Sequence, residues 1–98
     1  MSKLEQIYTV LKEQKPELSK RAFSTDYLGA SSGYMTTMSY YNREASLKAL
    51  AHLRSALAIE VEAWEAISAT HNTERATSNL EKARRLHAIA TETLLEVA

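Results

Sequence analysis

The chain has 98 residues, 45% of them hydrophobic and 24% charged, with two glycines and one proline. That length supports one hydrophobic core, so a single domain spanning 1–98 is expected, and the scarcity of loop formers excludes an all-β fold. No cysteine is present, which removes disulfide frameworks, zinc fingers, iron–sulfur clusters and thiol nucleophiles, and twelve basic residues balance twelve acidic ones.

Leu4, Ile7, Tyr8 and Leu11 recur at helical spacing and predict an amphipathic helix over about residues 2–14, ended by Pro16. Ser19 is placed to cap a second helix running to about Leu28, with Phe23 and Tyr27 one turn apart and Gly29 supplying the positive φ of a helix end. Ser31 or Ser32 is the expected cap of a third helix to about Tyr41, with apolar Met35 and Met38 three apart. Ser46 then caps a fourth helix, roughly 30 Å long at ~1.5 Å per residue, that is expected to bury Leu47, Leu50, Leu53, Leu57, Val61, Trp64 and Ile67. Thr70-His71-Asn72 interrupts it. Asn72 or Thr73 caps a fifth helix with Leu80, Leu86, Ile89, Leu94 and Val97 inward, and the short connection predicts an antiparallel hairpin.

The expected fold class is therefore all-α: a compact helix–turn–helix-like bundle of short helices over 1–45, then a long helical hairpin over 46–98. The hairpin exceeds what the small bundle can cover. Leu57, Val61, Trp64, Leu86, Ile89 and Leu94 are accordingly expected to form a homodimer contact, with completion of the monomer's own core as the alternative.

Residues 23–31, Phe-Ser-Thr-Asp-Tyr-Leu-Gly-Ala-Ser, followed by Met35 and Met38, resemble the core of phage-repressor-type helix–turn–helix domains, within residues 4–57. In that family a Leu-Gly-small-Ser segment closes the first helix, and apolar residues six and nine positions after the glycine anchor the second. Gly29, Met35 and Met38 keep that spacing. Ser24 and Thr25 stand where the family has an apolar residue and an alanine, and Phe23 is displaced by one residue. The resemblance implies transcriptional regulation through double-stranded DNA. The third helix would present Ser32, Tyr34, Thr36, Thr37, Tyr40 and Tyr41 to the DNA, while Lys20, Arg21, Arg43 and Lys48 neutralise phosphates. The middle of that helix carries none of the arginine, glutamine or asparagine side chains that most often read guanine and adenine.

Charge is divided unevenly: residues 1–54 hold eight basic groups against five acidic ones, and the remainder four against seven. A polyanion fits the first half better than the second. The alternative function is a protein-interaction module, an adaptor or inhibitor with a helix–turn–helix-like fold, which the neutral net charge and the tyrosine-rich third helix favour. Catalysis is not expected. His52, His71 and His87 lack metal-ligand spacing, Glu60, Glu62 and Glu65 read as a solvated helix side, and no phosphate loop or nucleophile elbow occurs. No cofactor is implied. The first residues lack the apolar run of a signal peptide and no stretch of ~20 apolar residues occurs, so a cytoplasmic protein is expected.

Overall fold

A computed structural model describes residues 3–41, 43 and 45–97. Among them are α1 (Lys3–Gln14), α2 (Lys20–Ala22) running directly into a π-helical turn (Phe23–Tyr27), α3 (Tyr34–Tyr40), α4 (Leu47–Thr70) and α5 (Glu74–Val97), and no strand. The expected start of the first helix at Ser2 lies outside the described residues.

α4 and α5 form the expected antiparallel hairpin, pinned by Arg54 donating to the Thr91 hydroxyl at 3.1 Å and by Arg84 beside Glu65 at 3.6 Å. With 24 residues, α4 is about 36 Å long rather than 30. α1 lies antiparallel along α5, with Lys3 on Glu96 at 3.1 Å at one end and Gln14 on Asn79 at 3.4 Å at the other. Ile7, Leu11, Phe23, Leu28, Met35, Leu53, Leu57 and Leu86 are the largest fully buried apolar side chains between these layers. Each contributes about 1.5–3 kcal/mol by leaving water.

Two expected dimer-contact residues are corrected by this packing: Leu57 and Leu86 are 0% and 1% exposed inside their own chain and cannot meet a second copy. The predicted inward stripe of α4 also overreaches at both ends. Leu47, the first residue of α4, is 48% exposed; further along, Val61 and Trp64 are half-buried and Ile67 is 40% exposed, because the short helices cover only the first half of α4. Val97, predicted inward on α5, is 46% exposed at the helix end.

Helix starts follow side-chain capping, with one surprise. Ser19 accepts from the Ala22 N–H, Ser46 from Ala49 and Thr73 from Ala76, so Thr73 rather than Asn72 caps α5. α3 begins after Gly33, and neither Ser31 nor Ser32 supplies a side-chain cap. The Met35 N–H is taken instead by the Ser24 hydroxyl, at 3.0 Å, from the preceding helix.

Candidate nucleic-acid interface

Ser24 is wholly buried, donates to the Lys20 carbonyl at 2.8 Å and accepts from Met35, so one hydroxyl ties α2 to the first turn of α3. The π turn sets this up. Leu28 N–H bonds to the Phe23 carbonyl five residues back, and Ala30 N–H bonds to Ser24 O at 3.0 Å, closing a widened turn around Gly29 at φ +59°. The Tyr27 carbonyl receives the His52 Nδ1–H of α4 at 2.9 Å. The His52 ring occupies the space beside Gly29 that a Cβ would fill, its Cδ2 only 2.5 Å from that position.

With Met35 buried and Met38 half-buried on its inner side, α3 turns Thr36, Thr37 and Tyr40 outward within an arc of about 100°. All three are exposed, as are Lys20, Arg21, Ser32, Arg43 and Lys48. Lys20 and Arg21 sit on α2, which packs against α3. Arg43 follows α3, and Lys48 lies in the first turn of α4. Tyr34 does not join this surface. It is half-buried, and its hydroxyl accepts the Ser46 N–H at 2.9 Å, so it serves the start of α4 instead of a ligand. At the end of α3, Tyr40 and Tyr41 stand 81% and 60% exposed with ring centroids 4.9 Å apart, and the Arg43 guanidinium lies 5.4 Å from the Tyr41 ring centre.

Threonine hydroxyls behave differently on α3 from elsewhere. Thr9, Thr25, Thr70, Thr77, Thr91 and Thr93 each donate back to a carbonyl one turn earlier, and Thr73 caps α5. Among the described residues, the Thr36 and Thr37 hydroxyls alone of the threonine hydroxyls make no hydrogen bond within the chain.

A second cluster lies behind the turn. Glu60 Oε1 accepts from both Lys15 Nζ and the Tyr27 hydroxyl, and its other oxygen is buried without a hydrogen-bond partner. Its side chain is 14% exposed, so Glu60 is not the solvated residue expected. It repeats the inward stripe at seven residues from Leu53 and three from Leu57, a spacing that Glu62 and Glu65 do not share. Burial disfavours the Lys15 ammonium, but hydrogen bonds to Glu60 and Tyr27 and the Glu60 charge outweigh it and raise its pKa. Burial and the bond to Glu60 push the Tyr27 hydroxyl up, against the opposing pull of Lys15. The cleft alongside, about 340 Å³, is lined also by Leu18, Asp26, Ala56 and Ile59. Among the described residues no three potential metal ligands gather, and no helix is long and apolar enough to cross a membrane.

The model of a family described as a family of unknown function (DUF6626) matches residues 4–96. No curated protein and no solved structure matches the chain.

Proposed function

The chain belongs to that family, and we propose that it is a non-enzymatic regulator that binds double-stranded DNA through a helix–turn–helix formed by α2, the Gly29 turn and α3. The observation that carries this reading is the anchoring of α3 by Met35 and by the Ser24 hydroxyl, which leaves Thr36, Thr37 and Tyr40 outward between exposed basic side chains. The π turn bears on the one-residue displacement of Phe23 from the phage-repressor pattern. A π turn accommodates one residue more than an α turn, so Phe23 reaches the core from a position one earlier in the sequence. Ser24, where the pattern has an apolar residue, is buried and hydrogen-bonded.

In this reading Lys20, Arg21, Arg43 and Lys48 contact phosphates, Ser32, Thr36, Thr37 and Tyr40 face the major groove, and the protein acts in the cytoplasm. A homodimer places two such helices on successive grooves. Its contact falls on the half-buried Val61, Trp64, Ile89 and Leu94 and the exposed Ile67. Fluorescence anisotropy with random-sequence duplex DNA at low and moderate salt tests the reading. Binding that weakens steeply with salt, and falls in Arg43→Ala and Thr37→Ala, is the expected result. Absence of binding at low salt refutes it. The exposed Tyr40–Tyr41 pair favours one other reading, a protein-binding surface, since tyrosine and arginine are the usual anchors of such interfaces.

A further inference from the structure

Seven threonines of this chain spend their hydroxyls on the backbone, and the two that do not are adjacent on the outward side of the one helix that would enter the groove. A helical threonine chooses between two χ1 rotamers according to whether its hydroxyl bonds back to the preceding turn. Thr36 and Thr37 are thus left with an unspent hydroxyl and a methyl each for an outside partner. Tyr40, on the same side of α3, adds an aromatic face that is 81% exposed. No amide or guanidinium belongs to α3, whose residues are Tyr34, Met35, Thr36, Thr37, Met38, Ser39 and Tyr40. The bidentate donors that single out guanine and adenine are therefore missing from its centre. Methyl and aromatic surfaces suit the one apolar feature of the major groove, the thymine 5-methyl group.

Resting on the DNA-binding reading above, we propose that Thr36, Thr37 and Tyr40 recognise thymine methyl groups, so that the sequence preference of α3 is for A·T pairs read from the major-groove side. The hydroxyls add contacts to base edges that are tolerant of base identity, and the flanking cations supply affinity without selectivity.

Two alternating duplexes isolate the methyl group: poly(dA-dT) and poly(dA-dU), which share charge, pairing and minor-groove edges. The expected result is tighter binding to poly(dA-dT), by roughly fourfold for each thymine methyl buried, the factor that about 0.8 kcal/mol per carbon group gives at 25 °C. Thr36→Ser with Thr37→Ser, which keeps the hydroxyls, should abolish most of this difference. Thr36→Val with Thr37→Val, which keeps the methyls, should retain it. Salt-sensitive binding with equal affinity for both duplexes overturns the thymine proposal and leaves the DNA-binding reading standing. Failure to bind either duplex at low salt overturns both.

Discussion

Replacing Gly29 with alanine sets two separable penalties against each other. A residue with a Cβ held at φ +59° pays about 1–2 kcal/mol for the left-handed conformation. The same Cβ would stand 2.5 Å from Cδ2, 2.8 Å from Cγ and 2.9 Å from Nε2 of His52. No small adjustment relieves three ring contacts, so the imidazole must swing away and give up its bond to the Tyr27 carbonyl, worth about 0.5–1.5 kcal/mol. Gly29→Ala should therefore cost about 1.5–3.5 kcal/mol in urea unfolding at 25 °C. In a His52→Ala background the clash and the bond are both absent, and the same substitution should cost only the conformational share, about 1–2 kcal/mol. An identical cost in the two backgrounds would refute the argument that His52 packs the turn, and a cost near zero would refute the left-handed turn itself.

Ser24→Ala leaves the buried Met35 N–H without an acceptor and should cost about 1–3 kcal/mol, whereas Ser31→Ala and Ser32→Ala should stay within about 0.5 kcal/mol; thermal unfolding monitored by circular dichroism compares the three. Alkaline titration should reveal the Lys15–Tyr27–Glu60 cluster. Both Lys15 and Tyr27 hold their protons more tightly folded than unfolded, so the stability they contribute is complete below their ordinary values of 10.5 and 10.0 and is lost as pH rises through the raised ones. Tyr27→Phe should flatten the fall in Tm above about pH 10, and an unchanged slope would argue against the cluster. Sedimentation over a range of protein concentrations checks the dimer contact, which Trp64→Glu should dissolve without unfolding the chain, since Trp64 is only half-buried.

Helices were legible where periodicity and caps agree. Leu4, Ile7 and Leu11 mark α1, Ser19 and Ser46 cap their helices, and Gly29 takes the positive φ its place after Leu28 suggested. The cap of α3 was not legible, because Ser31 and Ser32 have the right chemistry in the right place, while the acceptor used comes from Ser24, eleven residues before Met35. Long-range contacts of that kind leave no local signature. Leu57 and Leu86 were misplaced for a related reason: periodicity identifies an apolar stripe but does not say which layer covers it. A polar residue on such a stripe is the recoverable signal. Glu60 continues the spacing of Leu53 and Leu57, and a carboxylate there demands the partners that Lys15 and Tyr27 provide. Of the expected DNA-facing residues, Tyr34 alone is engaged inside the fold, and an aromatic residue at the start of a helix gave no warning of it.

The starts of α3 and α4 are secured from outside themselves, by Ser24 and by the Tyr34 hydroxyl. Seven residues are too few to hold a helix in water, so α3 owes its existence to the contacts that the rest of the chain makes with it. The side chains that hold α3 in place are Ser24, Met35 and Tyr34, and those it displays are Thr36, Thr37 and Tyr40. No residue belongs to both sets. Substitutions on the displayed side should therefore cost little stability and leave the scaffold that positions it intact.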